Sequence, residues 1–179
     1  MNTPQLDNIE RTEELTRFEN WVNELAASNS STLVFNDGQE HAAILFGTIF
    51  GTTKEKVCIY CDNMCSMVTA TADYYNALEA CKKRGVEVRI LLDTMDKKVL
   101  DQPIFCLVNK QEDVKFVPDD KRGYIKKKLN GLDVHFTVAD GKIYRMEYDI
   151  KNFKAIASFN DPEMSNTLTT VFDEVWNAA

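Results

Sequence analysis

The fold is decided by the stretch Val134-His135-Phe136-Thr137-Val138-Ala139-Asp140-Gly141-Lys142-Ile143-Tyr144-Arg145-Met146-Glu147-Tyr148. β-Branched and aromatic residues recur on both sides of Asp140-Gly141, a pair that tolerates positive φ at both central turn positions. The spacing predicts a β-hairpin of two strands, Val134 to Ala139 and Lys142 to Tyr148. A two-residue turn pairs Ala139 with Lys142. That register sets Thr137 against Tyr144 and His135 against Met146 on one face, with Phe136, Val138, Ile143 and Arg145 on the other.

On the C-terminal side, Lys154 to Phe159 reads as a further strand. Pro162 to Asn177 reads as a closing helix with Leu168, Val171, Phe172, Val175 and Trp176 apolar and Pro162 in its first turn. Upstream lie a short strand from Thr32 to Phe35, the turn Asn36-Asp37-Gly38, and an apolar helix from His41 to Phe50 that ends near Gly51. Lys56 to Cys61 reads as a buried strand. Ala70 to Arg84 reads as a helix with Tyr74, Ala77, Leu78 and Cys81 on one face, stopped by Gly85, and Val86 to Leu92 as a second apolar strand. Strand, helix stopped at Gly, and strand form a parallel crossover unit.

From Pro4 to Asn29, Leu6, Ile9, Leu15, Phe18, Val22 and Leu25 recur at helical spacing, which predicts one long amphipathic helix. Such a stripe covers the domain's own sheet or packs on a second copy, and the first is the expectation. Apolar runs at Ile104 to Val108 and Val114 to Val117 precede the turn Pro118-Asp119-Asp120 and the basic stretch Lys121-Arg122-Gly123-Tyr124-Ile125-Lys126-Lys127-Lys128. The expected class is α/β, a mixed sheet flanked by helices. It forms one domain over residues 1–179, with an N-terminal helix over 1–30 and a core over 38–176.

A chain of 179 residues, 44% hydrophobic and 27% charged, fits one core of ordinary size. The net charge of −7 disfavours phosphate backbones and anionic membranes on average. It is unevenly spread: residues 1–79 carry −8, residues 80–130 carry +5 and residues 131–179 carry −4. Any anion-binding surface is therefore expected in the middle, at Lys126, Lys127 and Lys128. Met1 opens onto polar sequence and no long apolar run follows, so neither a leader nor a membrane span is expected. Five cysteines form an odd set, which points to a reducing cytoplasm over a disulfide framework. Cys58, Cys61 and Cys65 suggest a metal site, but a strand spacing of three sends the first two sulfurs to opposite faces. Structural thiols, no metal and no cofactor are the expectation.

Two histidines bound the chemistry. His41 lies inside an apolar helix and reads as a packing or surface residue. His135 opens a strand that runs to Asp140-Gly141, and Ala155-Ile156-Ala157-Ser158-Phe159-Asn160 follows downstream. This arrangement resembles the phospholipase D-like superfamily, in which a strand carries His, any residue, Lys, four residues and Asp, and a later strand ends in Gly-Ser-x-Asn. Ser158 and Asn160 match the last two letters, with Ala157 in place of Gly. The apolar helix, the strand from Val57 to Tyr60, the helix ending at Gly85 and the strand from Val86 look like the first half of that fold, and the likeness covers residues 38 to 176.

The resemblance implies a phospholipase D-like half-fold, a homodimer that assembles the site, and His135, Asp140, Ser158 and Asn160 as catalytic positions. Thr137 stands where the family has its lysine, and Asp140 falls two residues early. A neutral threonine cannot hold a phosphoryl oxygen as a fixed cation does, so these positions are read as vestigial. The expected function is a non-catalytic module that binds a protein or a small phosphorylated ligand. The alternatives are a phosphodiesterase using His135 and a nucleic-acid binder using residues 121–128. Lys142, Tyr144 and Arg145 join the three lysines as candidate ligand-binding residues. Lys142 shares the expected face of His135 but lies too far along it to replace the lysine, and Arg145 contributes only if the register slips by one. Asp140 also suits an Asp-Gly turn with no further duty, in which case Lys142, Tyr144, Arg145 and Glu147 form a solvated edge.

Overall fold

The structure is a computed structural model and describes residues 5–179. Seven strands are formed by Val34–Asn36 (β1), Lys56–Cys61 (β2), Glu87–Leu92 (β3), Val114–Phe116 (β4), His135–Ala139 (β5), Ile143–Asp149 (β6) and Lys154–Ser158 (β7). They make one mixed sheet in the order β1-β7-β6-β5-β2-β3-β4. β2, β3 and β4 run parallel, and β5, β6, β7 and β1 continue the sheet antiparallel. The parallel crossover read from the sequence is the β2–β3 pair, with Val57 level with Val88 and Ile59 with Ile90.

Helices cover both faces. Glu13–Ala27 (α1), Gln39–Thr52 (α2), Ser66–Thr69 (α3) and Ala72–Lys83 (α4) lie on one side, where Leu45, Phe50, Leu78, Val57, Ile59 and Ala139 share a core. Tyr124–Lys128 (α5) and Pro162–Trp176 (α6) cover the other, where Leu168, Phe172 and Val175 pack on Cys58, Phe136 and Val138. Cys58 and Cys61 thus stand on opposite faces, and burial pushes both thiols up to about 12. No helix among the described residues is long and apolar enough to cross a membrane.

The N-terminal helix is shorter than its apolar stripe. It begins at Glu13, where Thr12 caps it by accepting from Leu15 N at 3.2 Å. Among the described residues before it, Asp7 forms a single parallel bridge with Thr71 instead of helix. Asp7 N–H donates to Ala70 O at 3.0 Å, and Asp7 O accepts from Ala72 N–H at 2.8 Å. Leu6 and Ile9 still pack on the core, so burial is satisfied without helix. Pro4, the expected start, lies outside the described residues. α1 packs intramolecularly, with Val22 fully buried and Phe18 4.4 Å from the ring of His41.

The hairpin register differs from the expectation by one. Asp140 (φ 50°) and Gly141 (φ 67°) do make the turn, and Lys142 N–H donates to Ala139 O at 3.2 Å. The ladder resumes one residue later, however, with Ala139 level with Ile143, Thr137 with Arg145 and His135 with Glu147. Lys142 is therefore an extra residue, and its carbonyl accepts from Asp161 N–H at 2.7 Å instead of closing the hairpin. One extra residue inverts the facing of every side chain on β6. Nor is β6 an edge: it lies between β5 and β7, and Tyr144, Arg145 and Glu147 are all buried.

Candidate functional site

The inverted strand brings a charge cluster to the end of the sheet where β2 finishes and β5 begins. His135 and Thr137 on β5 and Arg145 and Glu147 on β6 share the face that α2, α3 and α4 cover. His135 Nδ1 is 3.2 Å from Glu147 Oε2, and Glu147 Oε1 accepts from Arg145 Nη2 at 3.0 Å. Arg145 Nε donates to Asn36 Oδ1 at 3.1 Å, and Asn36 Nδ2 donates to Phe153 O at 2.6 Å, which fixes the amide's orientation. The Arg145 guanidinium lies 4.7 Å from the centre of the Phe46 ring. At the other end of the chain of charges, the Asp62 carboxylate, just beyond β2, bonds His135 Nε2.

Both ring nitrogens of His135 therefore meet carboxylates. Burial opposes charging the ring, but the bonds to Asp62 and Glu147 and their charges outweigh it and raise the His135 pKa to about 9. Asp62 N also sits 3.3 Å from Nε2, a contact only a neutral ring accepts. The carboxylate on the same nitrogen makes Nε2 a donor instead. His135 lowers Asp62 in turn. For Glu147 desolvation works upward, yet His135 and Arg145 bring it below the usual carboxylate range. Desolvation lowers Arg145, which is 2% exposed, while Glu147 supports its charge. Asp62, His135, Glu147 and Arg145 make two anions and two cations, the condition under which buried charges persist.

This cluster forms one wall of a cavity of about 300 Å³. Phe46 on α2, Val68 on α3, Tyr74 on α4, Met64 after β2 and Phe153 before β7 supply its apolar walls.

No protein-family model matches the chain, and no curated protein matches it. Solved structures do. One is Nuc from Salmonella typhimurium, a phospholipase D family member, 15% identical over 82% of this chain and 95% of that one, with a TM-score of 0.51. The fold is phospholipase D-like. Another is TrmBL2, an archaeal chromatin protein whose structure shows a novel mode of DNA binding, 16% identical with a TM-score of 0.54. It is matched over 93% of this chain, which spans 62% of TrmBL2's length.

Within this phospholipase D-like fold the residues singled out from the sequence separate. His135 and Arg145 reach the cavity, while Asp140, Lys142, Tyr144, Ser158 and Asn160 are not among its lining. Asp140 accepts from the backbone N–H groups of Lys54, Glu55 and Lys56 at 2.8, 2.9 and 3.1 Å, which ties the hairpin turn to the start of β2. Lys142 bonds the side chain of Asn29. Tyr144 pairs with Ser158 across β6 and β7 on the opposite face, where Tyr144 joins the core against α6. Asn160 N–H donates to Ser158 Oγ at 3.3 Å. Lys126 pairs with Asp133 at 2.5 Å and Lys128 with Glu174 at 3.7 Å on the α5 side, away from the cavity, and Lys127 lies between them on α5. Sequence reading missed Asp62 and Asn36 as partners of the cluster and Tyr74 in its cavity, and offered Glu147 only as part of a solvated edge. The available signal was the alternation His135, Thr137 and Arg145, Glu147, legible only with the bulge at Lys142 in place.

Proposed function

We propose that the chain is a phospholipase D-like module with a degraded catalytic motif, which binds a ligand or partner without cleaving phosphodiesters and acts as a homodimer. One observation carries this reading: His135 Nε2, the nitrogen that would attack phosphorus, bonds the Asp62 carboxylate while Nδ1 faces Glu147. An imidazolium with both N–H groups engaged has no lone pair to offer a phosphorus atom. Thr137 in place of lysine and Asp140 committed to backbone N–H groups support the same reading. Arg145 is its ligand-binding residue.

The test is metal-independent hydrolysis of bis-p-nitrophenyl phosphate, DNA and phosphatidylcholine by the purified protein against a His135→Ala control. Equal traces in both support the reading, and turnover lost in the control overturns it. The dimer rests on the single histidine motif per chain, which in this family is completed by a partner. Light scattering at micromolar concentration is expected to give twice 20.4 kDa.

A phosphodiesterase using His135 is the second reading, favoured by Arg145 lying opposite Thr137, which returns a cation to the neighbourhood of the missing lysine. In that reading Asp62 has to leave Nε2 before reaction, and Asp62→Ala raises turnover.

A further inference from the structure

The two carboxylates in the cavity wall, Asp62 and Glu147, are engaged by His135 and Arg145, and donors remain beside them. Tyr74, Thr137 and Arg145 line the cavity, and each is at least nine-tenths buried. Arg145 spends Nε on Asn36 and Nη2 on Glu147, which leaves Nη1 uncommitted. Among the described residues no protein group accepts from the Tyr74 hydroxyl or Thr137 Oγ1, and both residues line the cavity. Burial raises the Tyr74 pKa well beyond its ordinary value, so the hydroxyl keeps its proton and donates.

The three groups line the same cavity. Thr137 and Arg145 are direct cross-strand partners, and the Phe46 ring lies 4.7 Å from the Arg145 guanidinium and 4.9 Å from the Tyr74 ring. A buried pocket offering uncommitted N–H and O–H donors is complementary to an oxyanion. The charge balance limits that oxyanion to a single charge. The Asp62, His135, Glu147 and Arg145 cluster is neutral as a whole, and Lys151 is the one other charged residue among those described in the lining. Two carboxylates in the same wall oppose a dianion. The rest of the lining, with Phe46, Met64, Val68 and Phe153, suits an apolar body, and about 300 Å³ is at the small end of the range for ligand sites, roughly 300–1,000 Å³.

We infer that this cavity binds a small monocarboxylate with an apolar body, its carboxylate held by Arg145 Nη1, Thr137 Oγ1 and the Tyr74 hydroxyl. The inference rests on the reading of the chain as a binding module and names the ligand class of its site. It makes Thr137 a donor to ligand in its own right, and it makes the alternation of Thr137 and Arg145 across two strands the basis of the site.

Benzoate, phenylacetate and hexanoate are the probes, titrated by calorimetry at neutral pH, with benzamide, phenylacetamide and hexanamide as neutral counterparts. At least one acid is expected to bind and to raise the melting temperature, with its amide at least about tenfold weaker. Thr137→Val and Tyr74→Phe keep shape and each removes one donor. Each is expected to melt near wild type and to weaken the acid about tenfold, the equivalent of one charge-assisted hydrogen bond. Acids and amides binding alike, no probe binding at millimolar concentration, both variants binding as wild type, or preference for inorganic phosphate over every carboxylate would overturn the inference. Phosphodiester turnover measured on the same preparations bears only on the non-catalytic reading, so the two can fail separately.

Discussion

Thr137 and Arg145 stand directly opposite one another across β5 and β6, on the face that also carries His135 and Glu147. Thr137 is neutral, and the cation opposite it comes from the neighbouring strand. That cation is not free: Glu147 and Asn36 hold it in a fixed orientation at 3.0 and 3.1 Å.

The pair sets the first expectation. Removing one partner of a buried ion pair leaves the other charge uncompensated, which costs about 3–5 kcal/mol. Arg145→Met and Glu147→Leu should each lose stability on that scale. The double variant should lose less than the two together, with a coupling of at least about 1 kcal/mol. Urea denaturation of the four proteins gives the cycle, and strictly additive losses would show that the pair is not coupled.

Asp140 carries a different load. Its carboxylate accepts three backbone N–H groups at 2.8–3.1 Å, and its own φ is 50°. Asp140→Ala removes those acceptors and puts a β-carbon without a polar side chain into a left-handed turn, at an expected cost of about 2 kcal/mol. Asp140→Asn keeps the conformational preference and one acceptor and should cost about half as much. Neither change should alter benzoate affinity by more than about twofold, since the residue does not line the cavity. A stable Asp140→Ala protein with lost binding would place Asp140 in the site.

Long, strongly patterned elements were legible. α2, α4, α6 and the strands β2, β3, β5 and β7 fall within a few residues of where periodicity and punctuating Gly or Pro put them. The α1 boundary was not, because Leu6 and Ile9 pack, partly buried, on the core from a non-helical segment that follows the same apolar spacing. The site was half legible: His135 stood out by residue type, but its neighbours depended on one bulge at Lys142. That bulge is fixed by two tertiary contacts, Asp140 to the turn before β2 and Lys142 O to Asp161 N. Turn chemistry in the hairpin alone does not contain them. Asp62 and Asn36 reach the cluster from 73 residues before His135 and 109 residues before Arg145, separations at which local pattern is silent.

The cluster also gives stability a pH signature. His135 binds its proton more tightly in the folded state, about 9 against an ordinary 6.5. The stabilisation is therefore complete below pH 6.5 and is lost as pH rises through about 9. Asp62 and Glu147 are lowered, so their contribution is present above the ordinary carboxylate range and is lost as pH falls through their depressed values. Urea midpoints from neutral to alkaline pH should decline across the His135 window in wild type. The decline should flatten in His135→Gln, and a wild-type slope retained in that variant would show that another group sets it.

The last expectation concerns nucleic acid, the role a basic stretch at 121–128 suggests. In the structure that stretch is largely answered by acids. Arg122 bonds Asp93 and Asp119 at 2.9 and 3.1 Å, Lys126 pairs with Asp133 at 2.5 Å, and Lys128 lies 3.7 Å from Glu174. Lys121 and Lys128 also flank the Tyr124 ring at 4.9 and 5.3 Å, and the Tyr124 hydroxyl bonds Glu174, so the aromatic face is already covered by the protein's own cations. Phosphates would have to displace these carboxylates on a chain of net charge −7. A groove neutralising several phosphates shows a log-log salt slope of roughly 0.9 per contact. Here a titration of fluorescent duplex and single-stranded DNA is expected to show weak binding at low salt and none at physiological salt. Binding that persists at physiological salt and disappears on charge reversal of Lys126, Lys127 and Lys128 would make α5 a nucleic-acid surface and displace the small-ligand reading of the chain.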